Sequence, residues 1–313
     1  MIARRTLLMT LLLAAPAAWA RNAGTFDIRA IERKRLLPQG RALLAVELRT
    51  IPAIPAPRSP AGPHDYYSEG DYWWPDPDNP GGPYVRRDGR SNPDKFDGHR
   101  DALIAFGRTV PALAALWELT GEVRYAGAAM RHLRAWFVDP ATRMNPNLDH
   151  AQAIIGVNSG RAIGVIDTLQ IVEVARAAEL LARRNAPGYA AIRGAVEGWF
   201  AAYLDWLTTS PFGMQERDER NNHGTCWLLQ ASAFAALLGR TDVLEAARAR
   251  LKAVIVPTQV EPDGRQPLEL ARTKPYAYSL FNLDVLAASA WLLGGRDLVA
   301  WETGDGRSIA KAI

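Results

Sequence analysis

Cysteine is almost absent from this chain. Cys226 is the single cysteine among 313 residues, which excludes an intramolecular disulfide and a zinc site built from thiolates. It stands in an apolar run at 225–229, where a small buried residue is expected. Closely spaced histidines and clustered carboxylates are also lacking, so the sequence predicts no metal site and no cofactor.

A long block of one charge sign is missing as well. The chain has 37 Lys and Arg against 33 Asp and Glu, for a formal net charge of +4. The two signs alternate along the chain, which does not favour a nucleic-acid partner. The small positive excess is compatible with a polyanionic substrate. Beyond the N-terminus, no apolar run approaches the ~20 residues that a membrane span needs, so we expect none.

Residues 1–20 have the features of a secretory signal peptide. Arg4 and Arg5 form a basic start, the apolar run 7–15 follows, and 18–20 read Ala-Trp-Ala, a small-x-small cleavage site. We therefore expect export to the periplasm or the medium. The paired arginines leave twin-arginine export and general secretion both open.

Proline is abundant in one place only. Ten prolines fall within residues 51–93, and they exclude long helices and strands there. Six Tyr and Trp residues occur in the same segment, which is atypical of a disordered linker. The sequence predicts an ordered lid or cleft wall.

The rest of the chain is dominated by helical periodicity. One helix is expected within 21–50, and apolar residues spaced three to four apart predict helices from residue 98 onward. These helices cover 122–137, 167–184, 189–208, 224–238, 241–254 and 281–294. Convincing strand alternation is lacking, so the sequence predicts one all-α domain over 21–313.

Helices of this length suit an (α/α) toroid, an incomplete barrel of antiparallel helical hairpins. The polar loops at 139–148, 156–161 and 215–222 are then expected to gather at one end of the barrel and line a cleft. Residues 305–313 begin another helical pattern and stop, which indicates either a truncated sequence or an incomplete last hairpin.

Four residues are suited to removing a proton beside a carboxylate without a metal. In a uronate sugar, loss of the C5 proton creates a dianion that hydrogen bonds or a cation must offset. Asn222 and His223 can donate hydrogen bonds, and Arg272 offers a planar fork. Tyr278 can take the C5 proton as a phenolate, favoured by a nearby Arg that lowers the phenol pKa, or protonate the leaving O4.

Each of these residues also has a structural interpretation. Asn222 and His223 could cap a helix, Arg272 could form a surface ion pair, and Tyr278 could belong to the core. The hypothesis of catalysis rests on their joint occurrence.

Further polar and aromatic residues are candidates for holding a sugar. The predicted substrate contacts are Trp73, Trp74, Asn147, Gln152, Asn158 and Arg161. Indole faces suit the C–H faces of a pyranose, and the turn that carries Asn158 and Arg161 suits a sugar hydroxyl or carboxylate as well as a helix cap. His150 could be a second general base or a loop histidine with structural hydrogen bonds.

Together these segments resemble the alginate lyase superfamily of helical-toroid polysaccharide lyases. The resemblance spans residues 65–310 and is carried by 72–77, 142–148, 220–225 and 276–283. It implies β-elimination on a β-1,4-linked uronic acid polymer, alginate or glucuronan, which leaves a 4,5-unsaturated end.

By this resemblance, Asn222, His223 and Arg272 neutralise the uronate carboxylate and Tyr278 handles the protons. His223 acting as C5 base with Tyr278 as acid is the alternative assignment. The Arg-to-Tyr spacing is one residue shorter than in the classical mannuronan-cleaving members, which leaves open the sugar and whether Tyr276 or Tyr278 is the reacting phenol. Tyr278 is preferred because the stretch 278–281 leads directly into the next predicted helix.

Two other functions remain open at this point. A glycoside hydrolase on the same fold needs two carboxylates roughly 5–9.5 Å apart, and Asp218 with Asp97 or Asp101, or Glu216 with Glu269, could supply them. A non-catalytic polysaccharide-binding protein is the other alternative, but it does not explain why Asn222, His223, Arg272 and Tyr278 occur together.

Overall fold

Residues 27–313 are described by a computed structural model; the predicted signal peptide over residues 1–20 lies outside them. The described chain is mostly helical, as predicted. The helices are α1 Ile28–Leu36, α2 Gly40–Leu44, α3 Gly98–Thr120, α4 Val123–Leu133, α5 Val172–Arg183, α6 Ala190–Thr209, α7 Pro211–Asp218, α8 Asn222–Leu238, α9 Thr241–Arg250, α10 Val256–Gln259, α11 Pro267–Leu270, α12 Pro275–Ala300 and α13 Ile309–Ala312. Tighter 3₁₀ turns occur at Leu37–Gln39, Ile51–Ala53 and Ala162–Ile171, and wider π turns at Arg134–Val138 and Leu251–Ile255.

Two sequence predictions about helices were wrong. The single helix expected within 21–50 is divided into α1 and α2 by the 3₁₀ turn that contains Pro38. The loop expected at 215–222 begins inside α7, because Pro211 stands in the first turn of this helix and the Ser210 hydroxyl caps it by accepting from Gly213 N at 3.0 Å. Both errors arise at a proline in the first turn of a helix or 3₁₀ turn, which apolar periodicity does not record.

Helix α8 lies at the centre of the packing. It contacts α5, α6, α7, α9 and α12, and nearly every side chain along it is buried. A helix surrounded in this way is apolar on all faces rather than amphipathic. The packing of these five helices around α8 therefore fixes the position of the α8 N-terminus.

The segment 51–93 packs against α3 and is mostly loop, with one 3₁₀ turn and three short strands. Its strands are β1 Tyr67–Glu69, β2 Trp73–Trp74 and β3 Val85–Arg86; β2 pairs with β3 in an antiparallel hairpin, and β1 pairs in parallel with β4 His150–Ala153. We call residues 51–93 the loop wall.

Three anchors hold the loop wall to the helical body. The Tyr66 hydroxyl donates to buried Asp167 at 3.0 Å, Tyr67 N donates to His99 Nδ1 at 3.0 Å, and the Glu69 carboxylate accepts from Phe96 N, just before α3, at 2.9 Å. Such charged and buried hydrogen bonds are stronger than exposed ones.

Helices α3 and α12 satisfy the length and composition of a membrane span. In α3, half of the apolar window is buried; this helix packs against α4 and α5, and α12 packs against α8. Their apolar composition is therefore accounted for by packing within the helical array.

Glu173 in the first turn of α5 gives the fold a pH-dependent weakness. Burial raises its pKa to about 7, with Arg176 opposing the shift. Because the pKa of Glu173 is higher in the folded protein than that of an ordinary glutamate, the ionised carboxylate favours the unfolded state. Stability is therefore lost as the pH rises from the ordinary glutamate pKa to about 7.

We expect Glu173→Gln to raise the melting temperature by several degrees near pH 8, at roughly 2–4 °C per kcal/mol for a chain of this size. The same substitution should change it little near pH 4. Thermal unfolding followed by circular dichroism at both pH values measures the effect, and an equal rise at both would contradict this origin.

Candidate active site

The first turn of α8 carries Asn222 and His223. The side chain of Asn221, the residue before the helix, accepts a hydrogen bond from His223 N at 3.0 Å and so caps it. Gly224 follows, and a Cβ at this position would lie 2.1 Å from the Glu219 carbonyl oxygen. The cap accounts for Asn221, and the close approach of the chain to the start of α8 accounts for Gly224.

Asn222 is held by a buried carboxylate. Glu269, 1% exposed, accepts from Asn222 N and from Asn222 Nδ2, both at 2.7 Å. One amide hydrogen of Asn222 is therefore already engaged, and a single Nδ2 hydrogen is left for a ligand. Glu269 O also accepts from Arg272 N at 3.1 Å, which links the Asn-His stretch to the Arg-Tyr stretch.

His223 is held by a second buried carboxylate. Its Nδ1 lies 2.7 Å from Glu216 Oε1, and the Glu216 side chain is fully buried. Burial lowers the pKa of His223, the Glu216 and Glu219 carboxylates raise it, Arg272 lowers it, and the net shift is upward. Burial raises the pKa of Glu216 as well, although His223 opposes this.

Arg272 and Tyr278 meet face to face. Arg272 Nη2 donates to the Tyr278 hydroxyl at 3.0 Å, and the guanidinium carbon lies 4.0 Å from the centre of the Tyr278 ring. Arg272 has no other side-chain hydrogen bond within residues 27–313, so its remaining donors are available to a ligand. The effect of its charge on the His223 pKa places it near the imidazole too.

The loop wall completes this site with a residue that the sequence analysis did not select. The Tyr72 hydroxyl lies 2.9 Å from the Tyr278 hydroxyl. Gly89 of the wall packs so closely on Thr273 that a Cβ would lie 2.8 Å from its Oγ1. The wall thus covers Tyr278 directly.

The pKa of Tyr278 differs from the sequence expectation. Burial raises it, Tyr72 raises it further, and the lowering by Arg272 is smaller. The phenol is therefore protonated in the unliganded protein, and a resting phenolate is not supported.

Three of the predicted sugar contacts lie together. Arg161 Nε donates to Gln152 O at 2.7 Å, Arg161 Nη2 donates to Gln152 Oε1 at 3.1 Å, and the guanidinium lies 5.8 Å from the centre of the Trp73 indole. Gln152 has a φ of 51°, a strained backbone region for a residue other than glycine, and its side chain donates to Asp167 at 3.2 Å.

Arg161 lacks a hydrogen-bonded carboxylate among the described residues. Burial lowers its pKa to about 10, and nearby Arg86 adds to the lowering. Asp167 and Asp71 oppose this lowering only in part, so the Arg161 guanidinium is a charge that an anionic sugar would stabilise.

The remaining predicted contacts have structural partners. Asn147 Oδ1 accepts from Asp149 N at 3.2 Å, Asn158 Oδ1 accepts from Ile154 N at 3.2 Å, and Trp74 Nε1 donates to Arg90 O at 2.9 Å. These are turn and loop contacts. His150 Nδ1 lies 3.3 Å from Ser159 O, as the structural interpretation of this histidine expects.

The carboxylate pairs considered for hydrolysis are engaged elsewhere. Glu216 and Glu269 are 0% and 1% exposed and hold His223 and Asn222. Asp218 pairs with Arg217 at 2.7 Å and with Arg250 at 3.2 Å. Within residues 27–313, no group of three or more His, Cys, Asp or Glu residues could hold a metal ion.

A cavity of about 550 Å³ opens beside the start of α8, lined by Gln215, Asp218, Glu219, Arg220, Asn221 and Leu268. None of the four predicted catalytic side chains lines this cavity, although Asn221 directly precedes Asn222 and Glu219 acts on the His223 ring.

A comparison with protein families matches the alginate lyase family over residues 50–313. The chain belongs to the alginate lyase family. A comparison with curated proteins found no match. As a member of this family the chain is a polysaccharide lyase, which agrees with the sequence prediction of an enzyme.

Solved alginate lyases have the same fold. An alginate lyase from Bacteroides ovatus is 34% identical with a TM-score of 0.82, over 90% of this chain and 76% of that chain. Alginate lyase A1-III from Sphingomonas species A1 is 19% identical with a TM-score of 0.55, over 91% and 74%. A variant of A1-III in complex with a tetrasaccharide is 18% identical with a TM-score of 0.58, over 91% and 73%. The predicted (α/α) toroid is therefore confirmed.

Proposed function

We propose that this alginate lyase family member cleaves 1,4-linked uronic acid polymers, alginate or glucuronan, by β-elimination. The observation that carries the proposal is the contact of Arg272 with the Tyr278 hydroxyl, at 3.0 Å. This contact supports the proposal because it joins a guanidinium that can bind a carboxylate to a hydroxyl that can carry a proton, and Arg272 also acts on the His223 ring. This is the set that elimination beside a carboxylate requires.

The carboxylate of the uronate is bound by Arg272 and Asn222 in this proposal. Arg272 has free donors beyond the one given to Tyr278, and Asn222 keeps one amide hydrogen. As the C5 proton leaves, negative charge grows on this carboxylate, and preorganised donors stabilise it without reorganising.

His223 and Tyr278 transfer the protons. Tyr278 is a neutral phenol because burial and Tyr72 raise its pKa, so it enters the reaction with a proton for the leaving O4. The Nδ1 contact of His223 with Glu216 leaves Nε2 free to take the C5 proton. Each positioned transfer contributes roughly 10²–10⁴ in rate.

Arg161 and Trp73 hold a sugar at some distance from the reacting bond in this proposal. Arg161 supplies a charge for a second uronate carboxylate, and Trp73 offers an indole face to the pyranose. Gln152 fixes the guanidinium in place through its two contacts. The predicted signal peptide is consistent with an enzyme that meets its polymer in the periplasm or outside the cell.

The test is incubation of the purified mature protein with polymannuronate, polyguluronate, mixed alginate and glucuronan. We expect the ultraviolet absorbance of a conjugated 4,5-unsaturated uronate to rise with at least one of them, which would also name the sugar. New reducing ends without this absorbance would replace elimination by hydrolysis. Binding without either product would indicate a non-catalytic role.

A further inference from the structure

Glu216 is an unusual residue for the interior of a helical protein. Its side chain is fully buried, and Oε2 has no hydrogen-bond partner within residues 27–313. Its one side-chain partner there is His223 Nδ1, at 2.7 Å. A buried carboxylate with an unsatisfied oxygen costs stability, so its presence calls for an explanation other than folding.

The attachment of α7 does not depend on Glu216. Gly213 in this helix packs so closely on α6 that a Cβ would lie 2.1 Å from Leu207 O. Ser210 caps the first turn, and Arg250 donates to the carbonyl oxygen of Arg217 at 2.5 Å in the last turn. Packing and capping thus hold α7 in place without the carboxylate.

Three charged residues from different elements act on the His223 ring. Glu216 comes from α7, Glu219 from the loop before α8, and Arg272 from the turn between α11 and α12. Glu216 is the one that forms a hydrogen bond with the ring. An ionised Glu216 carboxylate can only accept, and in that state the contact requires the proton on Nδ1 and leaves Nε2 for a ligand.

We propose that Glu216 is a positioning residue for the elimination reaction: its carboxylate holds the Nδ1 proton of His223 and turns Nε2 toward the substrate. This inference rests on the proposed function and deepens it. Glu216 contacts no substrate in this arrangement and acts only through the imidazole.

The test begins with Glu216→Gln, which keeps the shape of the side chain and removes its charge. A glutamine can also donate to Nδ1 and so select the wrong tautomer. We expect kcat to fall about 10²-fold or more, the range that a positioned base contributes, with a small change in KM. Because the negative charge no longer favours the imidazolium, the ascending limb of the kcat/KM profile should move to lower pH.

Glu219→Gln is the matched control. Glu219 also raises the His223 pKa through its charge but makes no hydrogen bond with the ring. We expect less than a threefold loss of kcat, because this charge interaction has no hydrogen bond to the ring, and a smaller movement of the limb. Equal effects of the two substitutions would overturn the proposal, because charge alone would then account for them.

The wild-type protein provides a second measurement that does not depend on the folding of a variant. Nitrogen NMR of the five histidines, with His223 assigned by comparison with His223→Gln, reports which ring nitrogen carries the proton above the His223 pKa. A protonated Nδ1 supports the proposal. A proton on Nε2, or an unchanged pH profile in Glu216→Gln, would overturn it.

The outcomes separate this inference from the proposed function. If the limb that moves is the descending one, Glu216 still positions His223, but His223 then acts as a cation on the carboxylate and its assignment as the C5 base fails. If no polymer yields an unsaturated product, elimination fails, while the NMR result on the Glu216-His223 pair still decides whether the contact exists as proposed.

Discussion

Replacing Tyr278 with phenylalanine is expected to reduce turnover at least 10²-fold. The ring and its stacking under Arg272 are kept, but the hydroxyl that would protonate the leaving oxygen is lost. KM should change less than kcat, since the lost interaction belongs to the transition state. Initial rates of unsaturated product formation, measured on the polymer that the wild type cleaves, give both constants.

Tyr276→Phe is the control for this prediction. Tyr276 lies two residues earlier in α12 and is 76% exposed, and its hydroxyl makes no hydrogen bond among the described residues. Its substitution should leave turnover within twofold, as for most surface changes. The melting temperatures of both variants should stay near that of the wild type. Near wild-type turnover in Tyr278→Phe, or equal losses in the two variants, would remove Tyr278 from the chemistry.

Arg272→Lys is expected to lower kcat/KM about 10–100-fold, because a charged hydrogen bond is worth roughly 1.5–3 kcal/mol. Lysine keeps the positive charge but cannot bond the Tyr278 hydroxyl and a carboxylate with one planar group. Both binding and turnover should suffer, and steady-state kinetics on the cleaved polymer separate the two.

Arg265→Lys is the matched control, because it makes the same arginine-to-lysine substitution outside the candidate site. The Arg265 side chain is 66% exposed and pairs with Asp263 on the surface at 2.7 Å. Exposed pairs of this kind contribute little, so kinetics should match the wild type. If the kinetic constants of Arg272→Lys also match those of the wild type, Arg272 does not bind a substrate carboxylate.

The helical fold was predictable because its signal is local. Apolar spacing placed α6 and α8 within about two residues of their observed bounds, the usual uncertainty at helix ends. The helix end predicted after residue 294 coincides with a break in the helical backbone: Gly295 has a φ of 63° and a ψ of −146°, and interrupts α12 there. Helix α12 nevertheless begins at Pro275, ahead of the predicted start at 281, since proline is well tolerated in a first turn.

The predicted catalytic residues could be selected from the sequence, but the residues that hold them in place could not. Residue types alone selected the two pairs, Asn222 with His223 and Arg272 with Tyr278. Glu269 binds Asn222 across 47 positions of sequence, and Tyr72 meets Tyr278 across 206. Contacts this distant depend on how helices and loops pack, which no local pattern encodes.

Some polar residues could not be sorted from sequence for a different reason. Asn147 and Asn158 stand in turns where their side chains bond nearby backbone groups. An asparagine in a loop can bind a sugar hydroxyl or make the hydrogen bonds of a turn, and residue type alone does not distinguish the two roles.

The anchoring of the loop wall has a consequence for engineering. The four predicted catalytic residues belong to helices or the turns that join them, whereas Tyr72 and Trp73 belong to a segment anchored at Tyr66, Tyr67 and Glu69. The residues that follow Glu69 could therefore be replaced by those of a relative to change the polymer preference. The three anchoring residues and the four predicted catalytic residues would stay unchanged.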